Sequence, residues 1–558
     1  MSRMELVTSV DEIAAQVARI LSSKDFDASD RNRRFLEYVV QETMAGRADR
    51  IKAYSIATTV FCRNEDFDPQ QDAIVRIEAG RLRRSLDRYY LTSGRNDTVR
   101  ISIPVGAYVP VFLRHCAPAA GSATSVGGIL SEQGTGNKAV HRPTIHVCGF
   151  VPEGAAPGLA DLAASVTRRV IAALARFTDL SVVGPDRPEE AADFVLSGAI
   201  AAADGKVVAE SLLRETAHGH YIWSDFFECG ALSEDCVAQR IAIADRIVVA
   251  VGQPSGVLFS YLAQQALNGG STASGSFGSV LQFYSYWWNF DPGQYDRVRQ
   301  ALERTIQRDP HYAEAFACLS QLYSNAIRFR YAGGAHDDNR LQPAISLARQ
   351  AVHLSPGSSR GYLALGIALW LDGQVENALA ALRKSHELNP NDMEVVAELG
   401  LRHCLRADWD KGIPLIEEAY RRHQALPATH RIALSMWHFH RGRFDQALVE
   451  ARNMDMPGVI YPWIMIAVSA HRLGRFKEAR SALDSILALC PNYGDMVAAD
   501  LQSRNVQPQL ASMLIRGLRD AGLACPSASP SPIPSHRTQA RIAMQPRVKE
   551  PVPAPQRL

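Results

Sequence analysis

The chain reads as a multidomain α+β protein: a helical N-terminal block closed by a β-hairpin, a small central α/β domain, and a C-terminal all-α superhelix. Three observations predict this. At 558 residues the chain is too long for a single hydrophobic core, because such cores stop growing near about 250–300 residues. Composition shifts leave three blocks, about 1–115, 142–258 and 279–524. Hydrophobic periodicity is helical in the first block, mixed in the second, and helical with a fixed repeat in the third. The breaks are an Ala/Gly/Ser-rich linker (116–141), a Gly-Ser-Thr joint from Gly269 to Gly278, and a proline-rich tail over 525–558 that holds too few large apolar residues to order itself.

Composition narrows the function classes. Hydrophobic residues at 47% and charged residues at 21% suit a globular protein. Sixty Lys+Arg against 58 Asp+Glu leave a net charge of +2, so a basic site must be local. The longest apolar run, Ile247 to Val251, is strand-sized and far from the roughly 18 apolar residues of a membrane span. Met1 to Val10 carries Glu5 and no apolar signal core, so no membrane association is expected and the cytoplasm is the expected compartment. Nine scattered cysteines form no C-x-x-C pair, and Cys229 and Cys236 have no matching His pair. Reduced thiols and no zinc site are the expectation.

In the first block, helical spacing runs over Asp11 to Leu21, Arg33 to Met44 and Ala53 to Phe61. The segment Asp72 to Tyr90 puts Val75, Ala79, Leu82, Leu86 and Tyr89 on one apolar stripe. Arg81, Arg84 and Arg88 fall opposite, with Arg76 and Arg83 on the flank and, after the opening Asp72, Glu78 and Asp87 as acids. A turn at Gly94 to Asp97 leads to an alternating strand, Val99 to Ile103, a turn at Pro104 to Ala107, and a returning strand, Tyr108 to Phe112. Three helices, a basic last helix and a closing hairpin make the winged variant of helix-turn-helix. There the basic helix enters a major groove and the hairpin touches the adjacent backbone. An arginine-rich solvated helix face is the plainer alternative.

The stretch Val75 to Leu86, followed by Pro104 to Val109, resembles the OmpR/PhoB-type winged-helix effector domain over roughly residues 30–112. The resemblance implies that Arg76, Arg81, Arg83, Arg84, Arg88 and Arg100 contact double-stranded DNA, and that Gly106 and Tyr108 shape the wing. Ala107 departs from the second wing glycine, Glu78 would repel phosphate if it faced the groove, and the loop Cys62 to Gln71 adds Glu65, Asp66 and Asp68. Ile77 either meets a thymine methyl or marks a face rotated by one residue. Specific binding to adjacent half-sites would call for self-association, as in a homodimer, or for cooperative binding.

The middle block alternates Thr144 to Phe150 (strand), Gly158 to Phe177 (helix) and Leu180 to Gly184 (strand), a βαβ-like unit. A hairpin around Ala203 to Lys206, a strand at Tyr221 to Phe227 and a helix from Ser233 to Val251 follow. The order resembles the TolB-like α/β domain, with Ile145 to Phe150, Phe194 to Gly198 and His218 to Trp223 as its quotable pieces, and implies sensing or interaction rather than catalysis. No phosphate-loop or dinucleotide motif is present, and His218-Gly219-His220 lacks a third ligand. Neither enzyme activity nor a cofactor is expected.

The third block repeats with a period of 34. Tyr362, Leu365, Gly366 and Leu369 lie on a first helix, Gly373 turns, Ala378, Leu382 and Ser385 lie on a second, and Pro390 ends it. Small residues where helices approach and large ones where they interlock resemble the tetratricopeptide (TPR) repeat. Six copies fit between Ser279 and Pro491, two of them degenerate. The resemblance implies a superhelix whose concave groove binds a protein or peptide. The aromatic run Phe283 to Phe290 reads as core of the first copy, docked on the middle domain. Two functions follow: a DNA-binding transcriptional regulator, or a cytoplasmic scaffold whose winged helix contacts protein.

Overall fold

The computed structural model describes residues 4–525 apart from 7–8, 24–25, 27, 62, 65–66, 68–73, 92, 95–96, 104–107, 116–141, 155, 190–191, 204–205, 232–236, 268–274, 290–291, 330–340, 425, 455 and 457. The linker, most of the glycine joint, and all of the tail beyond Cys525 therefore lie outside the described residues. The chain divides into two compact units, 1–135 and 136–558.

In the first unit, α1 (Val10–Ser22), α2 (Asp30–Met44), α3 (Ala53–Thr59) and α4 (Ile74–Leu91) surround a core containing Phe26, Phe35, Leu36, Ile56 and Leu82. Ser29 caps α2 by accepting from the Asn32 N–H, which satisfies one of the orphan donors of the first turn. All five residues of the α4 stripe are buried: Val75, Ala79, Leu82, Leu86 and Tyr89. After α4 the chain forms an antiparallel sheet in the order β1 (Met4–Leu6), β3 (Val111–His115), β2 (Val99–Ser102). The strand at Val99 agrees with the spacing, but the returning strand begins at Val111 rather than Tyr108 and runs to His115, so Ser102 pairs with Val111. The third strand does not follow from the spacing, because Met4 to Leu6 is too short to show alternation.

The second unit opens with a six-stranded sheet. Strands β4 (Thr144–Val147), β6 (Ser181–Val183) and β7 (Phe194–Ala203) are parallel neighbours, with the short β5 (Val151–Glu153) also parallel on β7. Strands β8 (Lys206–Glu215) and β9 (Tyr221–Ala231) extend the sheet antiparallel. Helices α5 (Leu159–Leu174), α6 (Val237–Gly252) and α7 (Val257–Leu267) accompany it. The run Ile247 to Val251 lies inside α6, not in a strand. The stretch Val237–Ala266 is long and apolar enough to cross a membrane by length and composition, which no uninterrupted apolar run had shown. The chain turns at Gln253 to Gly256 between α6 and α7, and Ile243, Ile247, Val248, Leu258 and Phe259 are buried in the core of the sheet.

Fourteen helices follow among the described residues, in seven antiparallel pairs: α8 (Ser276–Asn289) with α9 (Tyr295–Arg308), α10 (Ala313–Phe329) with α11 (Leu341–Leu354), α12 (Ser359–Leu371) with α13 (Val375–Leu388), α14 (Met393–Leu405) with α15 (Trp409–Arg422), α16 (Arg431–His440) with α17 (Phe444–Arg452), α18 (Ile460–Arg472) with α19 (Phe476–Leu489), and α20 (Tyr493–Ser503) with α21 (Pro508–Asp520). The sequence spacing accounts for six; α20–α21 is an addition. The last five intra-pair turns share one backbone device. A residue with positive φ sits in each, at Gly373, Ala407, Gly442, Gly474 and Asn505. Ala and Asn stand where glycine is the default, which is why the pattern is faint at the second and fifth of these turns. At Gly366 a Cβ would lie 2.6 Å from Leu382 Cγ, so the α12–α13 approach requires glycine.

The sheet and the helix pairs pack as one body. Phe283, Tyr284, Tyr286 and Trp287 of α8 are buried in the same core as Ile145, Phe194 and Ile247, so these four aromatics are both first-pair core and docking surface; Phe290 and the Trp288 side chain lie outside the described residues. The Met393 N–H donates to Gln253 Oε1 at 3.1 Å, Arg422 pairs with Asp245 at 3.4 Å, and Ser255 Oγ lies 2.7 Å from His423 Nε2. Removed from water by this contact, His423 has its pKa pushed down to about 4.

Candidate functional site

The last helix pair of the array folds back onto three of the preceding first helices. The turn between α20 and α21 meets the C-terminal ends of three successive first helices. The Arg504 guanidinium donates to Arg328 O of α10 at 2.5 Å, Asn505 Nδ2 donates to Trp370 O of α12 at 2.6 Å, and the Gln507 N–H donates to Leu405 O of α14 at 2.8 Å. The last carbonyls of a helix have no intrahelical partner, and this one segment satisfies such carbonyls on three helices. In return, Trp370 Nε1 donates to Arg504 O at 3.0 Å. Leu501, Val506, Leu510, Leu514 and Leu518 of the terminal pair are buried in the repeat core.

Enclosed this way, α14 is buried along its whole length, yet it carries Glu394, Glu398 and Arg402. Such a helix must pair its charges internally. Glu398, fully buried, accepts from Arg328 at 2.5 Å and Arg402 at 2.6 Å, and lies 3.2 Å from His430 Nε2. Burial alone would raise its pKa, but the two guanidiniums hold it well below the usual carboxylate range. Burial pushes Arg402 down to about 10, still protonated at neutral pH. One turn away, Glu394 and Asp392 pair with the buried Arg360 at 2.6 and 2.9 Å.

Between α14 and the terminal pair lies a cavity of about 80 Å³. Its wall includes Met436, Met454, Met456 and Met465 together with Arg328, Arg402 and Arg504. Nothing in the 34-residue spacing announces it, because its residues come from helices spread between α10 and α21.

The structure divides the arginines singled out in the first unit. Arg81 donates to Glu78 at 3.0 Å, and Glu78 is buried, with Arg31 3.9 Å away. Glu78 therefore turns inward rather than toward a DNA groove. Arg83 donates to Ile103 O at 2.8 Å and fastens the end of β2 to α4. The Arg100 guanidinium lies 5.1 Å over the Tyr90 ring. Tyr108 packs against the core, 6.4 Å from the Phe35 ring. The side chains of Arg76, Ile77, Arg84, Asp87 and Arg88, together with Gly106 and the acids Glu65, Asp66 and Asp68, lie outside the described residues.

Beside the turn between β8 and β9, His218 and His220 stack at 5.7 Å and His218 Nδ1 meets the Glu215 carboxylate at 2.7 Å, but these three do not form a converging ligand group among the described residues. A different trio converges: His146, Cys148 and Glu189 place potential ligand atoms within 4.8 Å of one another. Sequence spacing could not reveal it, because Glu189 arrives from the loop after β6. Burial first, then Glu189, pushes the Cys148 thiol up to about 11. His146 Nε2 is buried without a partner, whereas a metal-ligating histidine is held by a hydrogen bond from its second nitrogen. The trio stands as a hydrogen-bonded cluster.

Comparison with known proteins bears on the third region. Residues 336–392 match the tetratricopeptide repeat family, and the C-terminal region carries repeats of this type. Bacteriophage adsorption protein A of Escherichia coli (strain K12) is 27% identical over 118 residues, 20% of this chain and 11% of that protein. The chain thus spans about a tenth of the length of this curated relative. Similar solved structures include the thermophilic TPR protein TTC0263 of Thermus thermophilus, at 20% identity over 35% of this chain and 92% of that one, TM-score 0.25. The TPR protein YrrB, described as having an unusual peptide-binding site, is 17% identical over 35% and 94% with a TM-score of 0.24. PilF of Pseudomonas aeruginosa is 15% identical over 41% and 95% with a TM-score of 0.29. These scores are too low to carry any conclusion about activity.

Proposed function

We propose that the chain is a non-catalytic cytoplasmic adaptor that recruits a protein partner through its TPR repeats. The observation that carries this reading is the array of helix pairs, which extends far beyond the matched residues 336–392 and keeps one turn device through its last five pairs. Solenoids of this kind present extended surfaces to other proteins. Here the terminal pair α20–α21 already covers the ends of α10, α12 and α14, so the partner either engages surface left outside that contact or displaces it.

A second reading, a winged-helix transcriptional regulator, is favoured by one feature: α4 buries its apolar stripe and is followed at once by the β2–β3 pair, the layout of a recognition helix and wing. Site-specific photo-crosslinking in cells separates the two. Crosslinkers replacing the exposed Val449 and Phe476 of the repeats are expected to give protein adducts, and one replacing Arg84 is expected to give none with DNA. DNA adducts from position 84, with no protein adducts from the repeats, would reverse the assignment.

A further inference from the structure

The cavity beside α14 carries chemistry that neither repeat packing nor an adaptor role requires. Its volume of about 80 Å³ is several times the ~10–15 Å³ that one water needs. One side is soft and apolar: Met436, Met454 and Met465 belong to the residue type that adapts best to irregular contents. The other side is cationic. Arg328, Arg402 and Arg504 line the wall, and no carboxylate does among the described residues.

The carboxylates that partner these arginines sit behind the wall. Arg328 and Arg402 share the single Glu398, and Arg504 pairs with Asp500. A guanidinium offers five N–H donors. Arg402, with its side chain only 4% exposed, leaves its Nε without a hydrogen-bond partner. Two guanidiniums that share one buried carboxylate leave positive charge uncompensated beside an apolar void, which is costly. Water would answer the guanidiniums but not the methionines; a neutral apolar molecule would answer the methionines but not the guanidiniums.

We propose that this cavity binds a small monocarboxylate with an apolar tail, its head meeting Arg402 and Arg328 and its tail lying along the methionines. The site does not depend on which macromolecule the protein engages. Because Leu501, Arg504 and Val506 of the terminal pair form part of the wall, an occupant also contacts the segment that covers the ends of the first helices.

Isothermal titration of the full chain with octanoate and with octan-1-ol tests the proposal. Saturable octanoate binding is expected, with octanol weaker by about 10- to 100-fold, the scale of one lost hydrogen bond to a charged group. Arg402→Met should bring octanoate down to the level of octanol. Equal affinity for the two probes, no saturable octanoate binding, or an unchanged affinity in a folded Arg402→Met would overturn it. If that variant does not fold, a photoreactive diazirine derivative of octanoate on the unaltered protein decides. Labelled peptides containing Met436, Met454 or Met465 support the site, and labelling confined to other regions refutes it.

Discussion

Helices α14 and α4 answer one question in opposite ways: what becomes of charge on an amphipathic helix. On α14 every residue is buried, and Glu394, Glu398 and Arg402 become internal ion pairs. On α4 the apolar stripe is buried and the described charges divide. Glu78 turns inward, Arg81 follows it, and Arg83 is used to hold a strand end. Apolar spacing states which side of a helix packs. The fate of its charges depends on partners that arrive from elsewhere in the chain: Arg328 meets Glu398 across 70 residues, and Arg504 reaches Arg328 across 176.

That contrast can be broken, and the largest effect is expected at Glu398. Glu398→Ala leaves Arg328 and Arg402 buried without a counter-charge and should cost about 3–5 kcal/mol in urea unfolding. Glu78→Ala should cost less, because Arg81 is 33% exposed and water can take over. If the two losses are equal, burial is not what separates the helices.

Next in size is the pH dependence carried by His423. Its folded pKa, about 4, lies below the ordinary 6.5. Its contribution is therefore fully present above about pH 6.5, declines as pH falls, and is lost once pH passes below about 4, a span of about 3 kcal/mol. His423→Gln should flatten the stability profile between those limits, and an unchanged slope would place the proton uptake on other groups.

Smaller effects sharpen the account of the repeats. Gly366→Ala puts a Cβ against Leu382 and should lower stability by about 1–3 kcal/mol. Ala407, with φ of 60°, stands in a left-handed turn. Ala407→Gly should raise the melting temperature through a gain of about 0.5–1 kcal/mol, since strain relief exceeds the added chain entropy. A fall would mean that the turn is held by something other than its backbone.

The same physics explains what the sequence disclosed. The α4 stripe, the strand alternation at Val99 to Ile103, and the Gly366, Gly373, Leu382 register are local patterns, and each appears in the fold as the spacing requires. The pair α20–α21 was hidden because Asn505 replaces the turn glycine and its first helix, Tyr493 to Ser503, is short. The cavity and the His146, Cys148, Glu189 cluster were illegible for a different reason. Their members are joined only by the path of the chain in space, and no periodicity connects them.

The measurement closest to the central claim, that function lies in the repeats rather than in DNA reading by α4, is a titration of the full chain against random-sequence duplex DNA at two salt concentrations. With Arg81 and Arg83 engaged inside their own unit, weak binding with a shallow salt slope is expected. Tight binding that falls steeply with salt, with a slope reduced by about one in Arg84→Ala, would contradict the account and make the first unit the functional one.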